Sequence, residues 1–282
     1  MSEFTVLISV YKNEKPEFLY QSLCSVLVDQ TLRPHEVVVI KDGNLSRELD
    51  KVLQIYQLMY PYILKVYGYS VNRGLGYSLN FGLKLASNEL VFRMDTDDIA
   101  IPERFEKQIE AFNDNSNPAI VGSNIEEFHI HPKDYQLIRF VPHNFEQIHK
   151  SKWRRNPFNH MTVGFKKSII LSCGGYKTMT GYEDYYLWLR VLKNNNGCNL
   201  PDNLVHARIG NGMIARRHGW PFLINEFKFQ YTILSEGFLT FPQFLNNIFT
   251  RVLPRIFPQW LLQGIYTNFL RSNSKRSLSN NI

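Results

Sequence analysis

The sequence contains no C-x-x-C pair. Its three cysteines, Cys24, Cys173 and Cys198, are odd in number and far apart, which excludes a disulfide framework and a cysteine-based zinc or redox centre and predicts reduced thiols. No apolar run reaches the ~18 residues of a membrane span. The first residues, MSEFTVLISVYKNE, carry an acid at position 3 and a short apolar run broken by Lys12, without the basic start and long apolar stretch of a signal peptide. The expectation is a cytoplasmic chain, neither exported nor integral to a membrane. Acid is missing altogether after Glu236, where Arg251, Arg255, Arg271, Lys275 and Arg276 supply five of the seven net positive charges and leave +2 for residues 1–236. With the excess confined to the tail and no recognition module in view, no nucleic-acid partner is expected. Internal repeats are also lacking.

What is present is core-forming material. Of 282 residues, 44% are hydrophobic and 14% aromatic, including 20 Phe and 15 Tyr, enough for one large α/β domain or a domain with an appendage. The first ~125 residues alternate strand and helix signals. Strands are expected at Phe4 to Val10, Glu36 to Ile40, Ile63 to Tyr69, Leu90 to Met94 and Ala119 to Ser123. Helices are expected after Pro16, through Leu49 to Leu58, from Asn72 to Ala86, and after Pro102. Such alternation implies crossover connections and a mainly parallel sheet covered on both faces, with ligands beyond the carboxyl ends of its strands. Asp42 and the Asp95-Thr96-Asp97-Asp98 group fall at those ends and should face one crevice.

From ~126 to ~235 the pattern is less regular, apart from an amphipathic helix at Glu183 to Leu192. The parts expected are therefore 1–125, 126–235 of the same domain, and a basic aromatic tail, 236–282, with a polar Ser/Asn-rich end expected to be disordered.

The chemistry-bearing segments can each be read in two ways. In FRMDTDD a strand runs into three carboxylates within four positions; a divalent cation with a preference for hard oxygen ligands, Mn2+ or Mg2+, relieves their repulsion. The alternative is a solvated turn with Asp97 or Asp98 capping the next helix. Glu183-Asp184 begins a helix, so one acid could serve its dipole, while a carboxylate set against a hydroxyl is a general base. Asn72-Arg73-Gly74-Leu75-Gly76 resembles a phosphate-cradling turn, but position 79 is Leu, so the three-glycine dinucleotide fingerprint is absent and a glycine-permitted helix start remains open. His160 follows the basic run Lys150, Lys152, Arg154 and Arg155 and reads as a loop or core residue or as part of a site. Arg216 and Arg217 suit a solvated surface or bidentate contact with a diphosphate.

In combination, VLISVYKNE, EVVVIKDG, NRGLGYSLNFGLKLASNELVFRMDTDDIAIPERFEKQ, NPFNHMTVGFKKS and GYEDYYLWLR resemble glycosyltransferase family 2, from about Phe4 to His218. The resemblance implies a GT-A nucleotide-sugar-binding fold of α/β class with a mainly parallel central sheet, followed here by a C-terminal amphipathic helical extension. It also implies donor contacts by Tyr11, Asp42, Asn72, Gly74, Asp95, Asp97, Arg216 and Arg217. Metal would be bound by Asp97 and Asp95, with Asp184 as base and Glu183 and His160 on the acceptor side. The family often carries a second aspartate where this chain has Lys41.

The implied reaction is inverting, metal-dependent transfer of a hexose from a UDP-sugar, with UDP-glucose or UDP-galactose favoured. A subgroup it resembles builds O-antigens and capsules on undecaprenyl-diphosphate-linked saccharides, giving a β-linkage. The tail, with Phe244, Leu245, Ile248, Phe249, Val252, Leu253, Ile256, Phe257 and Trp260, suits the interface of an anionic membrane and a peripheral position on its inner face, or else packs on the catalytic domain. A glycoside hydrolase, which needs no metal cluster on a parallel-sheet edge, and a non-catalytic sugar-nucleotide or polysaccharide binder are the rival readings.

Overall fold

The computed structural model describes residues 3–252, apart from 115, 133, 136 and 211–219. Its frame is a nine-stranded sheet in the order β3-β2-β1-β4-β8-β6-β9-β5, with β7 paired to β6. β1 (Phe4–Val10), β2 (Glu36–Asp42), β3 (Leu64–Tyr69) and β4 (Leu90–Met94) are parallel neighbours. Their near-continuous apolar runs fit strands covered on both faces. α1 (Pro16–Leu27), with proline in its first turn, α2 (Arg47–Met59) and α4 (Arg104–Phe112) pack on one face around Phe4, Val37, Phe92 and Phe105. α3 (Leu75–Leu85) covers the other face.

The sheet does not continue as the alternation predicts. β4 is followed in the chain by the two-residue β5 (Ile99–Ala100) and in the sheet by the antiparallel β8 (Gly164–Lys166). β8 is itself antiparallel to β6 (Ile120–Phe128), so β6 again points the same way as β4, as does its parallel neighbour β9 (Gly197–Arg208). The expected fifth strand, Ala119 to Ser123, is thus the first half of a longer β6 and lies one strand further from β4. The "irregular" middle contains β7 (Leu137–Arg139), α5 (Phe145–Ser151), β8, α6 (Lys167–Ser172), α7 (Glu183–Val191) and β9. The mixed α/β class and mainly parallel sheet are as expected.

α8 (Trp220–Ser235) and α9 (Phe241–Asn247) follow, then a π-type turn, Ile248–Val252. A third apolar cluster joins Tyr182, just before α7, and Tyr185, Tyr186 and Leu189 of α7 to Phe229 and Ile233 of α8, with Phe244 of α9 against it. Phe229 stacks on Tyr182 at 4.5 Å between centroids. The fully buried Glu226 accepts from Gln230 Nε2 at 2.9 Å and pairs with Arg251 Nε at 3.0 Å. Asn247 Nδ2 donates to the Trp153 carbonyl at 2.8 Å. Of the two expectations for the tail, packing on the domain therefore holds as far as Val252; residues 253–282, including Ile256, Phe257 and Trp260, lie outside the described residues. Among the described residues no helix is long and apolar enough to cross a membrane.

Candidate active site

Three adjacent parallel strands bring the donor-side residues to one edge. In register, Ile8 of β1 lies beside Val39 of β2 and Met94 of β4, so Tyr11, Asp42 and Asp95 follow the same end of the sheet. Tyr11 is half-buried, and its carbonyl accepts from Glu14 N at 3.1 Å.

Asp42 is buried and organises the turn that starts α3. Oδ1 accepts from the Tyr69 hydroxyl at 2.9 Å and from Arg73 N at 2.7 Å. Oδ2 accepts from Asn72 Nδ2 at 3.1 Å and Gly74 N at 3.0 Å. A carboxylate has about four acceptor positions, so a nucleoside contact would have to displace one of these donors. The turn needs its glycines: Gly74 sits at φ 86°, where a side chain is disfavoured, and a Cβ on Gly43 would come within 2.8 Å of Asn72 N.

The Asp95-Thr96-Asp97-Asp98 turn divides its labour. Asp95 and Asp97 are half-buried at the crevice, whereas Asp98 is buried. Asp98 Oδ1 accepts from Arg208 N at 2.8 Å, and Oδ2 has no partner among the described residues. Burial, reinforced by Asp97 and Asp95, holds the Asp98 carboxyl well above the usual carboxylate range. Thr96 Oγ1 donates to Glu14 Oε2 at 2.5 Å. No cage of three His, Cys, Asp or Glu forms among the described residues. The pair Asp95 and Asp97 nevertheless fits Mn2+ or Mg2+, because such ions are held by one or two carboxylates and complete their shell with water and substrate phosphates.

On the acceptor side, Asp184 Oδ2 accepts from Asn156 Nδ2 at 2.7 Å. Glu183 accepts from Gly181 N at 3.0 Å, and its pKa is raised by burial first and by the neighbouring Asp184. A Cβ on Gly76 would lie 3.5 Å from Glu183 Cγ and from Tyr176 Cβ, so the acidic start of α7 sits directly over the donor turn. His160 opens the short 3-10 turn His160–Thr162 that leads into β8 and meets the Tyr176 hydroxyl through Nε2 at 3.0 Å. Burial and the positive field of Arg93 push its pKa well down, which makes it a neutral wall residue. Tyr176 is tied to α3 by Asn80, whose Oδ1 accepts from Tyr176 N at 2.8 Å.

The structure thus gathers Asp42, Asn72, Gly74, Asp95, Asp97, His160, Glu183 and Asp184 around one edge; Arg216 and Arg217 lie outside the described residues. Sequence reading missed Arg208, Asn156, Glu14 and Arg93. The Arg208 guanidinium lies between the Phe18 and Phe128 rings, 3.9 and 4.4 Å from their centroids. Its Nε donates to the Asp97 carbonyl at 3.0 Å and its Nη2 to Gln21 at 2.6 Å. A lone arginine in a strand offers no such signal, but an arginine inside the apolar run LVFRM was visible.

The profile of Glycosyl transferase family 2 matches residues 5–175. Over 270 residues the chain is 36% identical to an Escherichia coli UDP-Gal:alpha-D-GlcNAc-diphosphoundecaprenol beta-1,3-galactosyltransferase, covering 95% of this chain and 97% of that one. It is 37% identical to the amylovoran biosynthesis glycosyltransferase AmsE of Erwinia amylovora, over 92% and 98% of the two chains. Among solved structures, the mannosyltransferase PcManGT from Pyrobaculum calidifontis, in complex with GDP-Man and Mn2+, superposes with a TM-score of 0.66 at 16% identity, covering 99% of this chain and 76% of that one. That likeness establishes a GT-A fold.

Proposed function

Because the chain belongs to glycosyltransferase family 2 and is a bacterial polysaccharide glycosyltransferase by its relatives, we propose that it moves a hexose, galactose or glucose, from its UDP-sugar to a saccharide on undecaprenyl diphosphate, forming a β-linkage. The observation that carries this reading is the seating of Glu183, the first residue of α7 and the neighbour of Asp184, against Gly76 at the donor turn. On this reading Asp184, next to Glu183, serves as the base.

Asp184, oriented by Asn156, takes the proton of the acceptor hydroxyl as that oxygen bonds to the anomeric carbon. The bond to the UDP oxygen breaks with its electron pair leaving on the diphosphate, and attack from the opposite face inverts the centre. Asp42 serves by holding Asn72 to Gly74 in place, and Glu183 shapes the acceptor side. Mn2+ or Mg2+ on Asp95 and Asp97 would supply charge neutralisation for the departing diphosphate.

The lipid-linked acceptor puts the enzyme at the cytoplasmic face of the membrane. In support, Trp220, Ile224, Phe227 and Tyr231 form an exposed stripe at helical spacing on α8, and Phe241, Leu245 and Phe249 form another beside it. α8 and α9 are joined nearby, where the Phe227 and Phe244 rings lie 6.3 Å apart. Aromatic rings next to an acid-free basic tail suit an anionic interface.

The test is incubation with a panel of UDP-sugars, Mn2+ and N-acetylglucosamine on a lipid diphosphate, with products followed by mass spectrometry and NMR. A hexose added only with metal, β-linked, and lost in folded Asp97→Ala and Asp184→Asn proteins supports the reading. An α-linkage refutes inversion, and metal-dependent UDP binding without any transfer leaves the binding-protein reading in its place.

A further inference from the structure

Two arginines are buried beside the carboxylate turn, and they are treated in opposite ways. Arg104, fully buried, donates to the carbonyls of Arg93 at 2.6 Å and Met161 at 3.0 Å, and to Gln108 Oε1 at 3.1 Å. It is a satisfied clamp between α4, β4 and the turn that follows Asn159.

Arg93 is 1% exposed and is the last but one residue of β4, opposite Leu7 of β1, where an apolar residue would pack. Its Nη2 approaches Asp95 Oδ1 to 2.5 Å, a close charge contact without hydrogen-bond alignment. Nε, Nη1 and Nη2 all lack a properly formed hydrogen bond among the described residues. A buried ion satisfied so poorly is destabilising relative to an apolar side chain of similar size, so packing does not account for it.

Its position does. Arg93 pairs with Asp95, the next residue but one and at the donor edge, and its charge also reaches His160 and Tyr176, which meet each other at 3.0 Å. Tyr176 in turn is bonded to α3 through Asn80 and borders Glu183 over Gly76. The cation therefore sits at the junction of the donor and acceptor walls.

We infer that Arg93 is a positioning residue of the transfer site: it fixes Asp95 from below and keeps a buried positive charge under the region where the diphosphate gains negative charge, at the expense of stability. A fixed charge in a dry site acts without reorganising during reaction. The inference rests on the proposed transfer reaction for its kinetic part only.

The experiment compares Arg93→Met, Arg93→Lys and Arg104→Met in the full chain, reading melting temperature, kcat and KM for the donor, and UDP affinity in Mn2+. Arg93→Met should melt at or above the temperature of the unsubstituted protein while kcat falls on the order of ten- to a hundredfold. Arg93→Lys should recover part of that loss, and Arg104→Met should melt lower. A melting point lowered as far as in Arg104→Met, failure of Arg93→Met to fold, or an unchanged kcat each overturns the inference. If the unsubstituted protein transfers nothing, the proposed function fails by itself. Arg93 is then judged on melting and on UDP affinity, weakened if the inference holds and unchanged if it does not.

Discussion

Replacing Asp42 by Asn tests whether the donor turn is held as described. The change is isosteric but turns one acceptor oxygen into a donor. Whichever oxygen is lost, two of the four bonds from Tyr69, Asn72, Arg73 and Gly74 go with it. Hydrogen bonds to a charged group contribute about 1.5–3 kcal/mol each. The donors lie on an exposed turn where water regains part of this, so the net loss should be about 2 kcal/mol. For a domain of this size that lowers Tm by about 4–8 °C, and the displaced turn should weaken UDP binding by about tenfold. Lys41→Ala is the control on the same strand, since it removes only a half-exposed pair with Asp50 at 2.7 Å, worth at most about 1 kcal/mol. Thermal melts and calorimetric UDP titration read both effects. An Asp42→Asn protein that melts within about 1 °C of the original and still binds UDP refutes the anchor. Weaker UDP binding at unchanged Tm would instead mean that Asp42 touches the nucleoside directly.

Asp184→Asn should lower kcat by about 10²–10⁴-fold with little change in Tm, and Asn156→Ala, which frees but does not remove the base, should lower it less; steady-state kinetics on folded proteins decides, and a larger loss at Asn156 would reverse the assignment. Glu183 has a raised pKa in the folded protein, so the unfolded chain loses this proton first and stability falls as pH climbs above the ordinary glutamate value of 4.5. Glu183→Gln should therefore melt higher than the original near neutral pH, with the gap closing toward pH 4; a constant gap would contradict this. Glu36 shows the opposite sign. Burial alone would raise its pKa, but Lys65, Ser87 and Thr5 outweigh it and the value is lowered. Its contribution is present above the ordinary range and is lost as pH falls through the depressed value. Glu36→Gln should cost about 1–3 kcal/mol at pH 7 and progressively less in acid, as urea titrations at a series of pH values would show. Replacing Trp220, Phe227 and Phe249 together by Ser should abolish flotation with phosphatidylglycerol vesicles while a water-soluble acceptor is still used; unchanged flotation removes the membrane assignment.

The parallel half of the fold was legible because its signals are local. Pro16 sets the start of α1, and the runs of β1, β2 and β4 are apolar because both faces are covered. The carboxylates at their ends are clustered in sequence as well as in space. The other half was not legible, for physical reasons that differ from element to element. β8 and α6 span three and six residues, too short to express a period. β9 contains Pro201-Asp202-Asn203 and a register shift beside Asn124 of β6, so it reads as a turn although it is a twelve-residue strand. The short antiparallel β8 is what carries the His160 segment alongside β4, and antiparallel insertion leaves no mark in an alternating pattern.

That insertion also explains why a single arginine, more than a hundred positions from the carboxylates, belongs to the site. β6 and β9 are separated from β4 by β8, so in the strand ladder the Asp95–Asp98 turn is tied to them only through the two-residue β5, which follows Asp98 and pairs Ile99 with His206 and Ala100 with Val205 of β9. Arg208, at the end of β9, adds side-chain bonds to that short pairing. Its N–H holds Asp98, its Nε holds the Asp97 carbonyl, and its Nη1 reaches the carbonyls of His129 and Ile130 at the end of β6. The stacked rings of Phe18, from α1, and Phe128, from β6, exclude water from these bonds and so strengthen them. The carboxylates that would meet the diphosphate are therefore fixed to β9 and to the end of β6 as well as to β4. The donor-side carboxylates are thereby held in place before a substrate arrives, which is one of the conditions under which a base and a leaving group on opposite sides of one sugar carbon can be aligned before reaction begins.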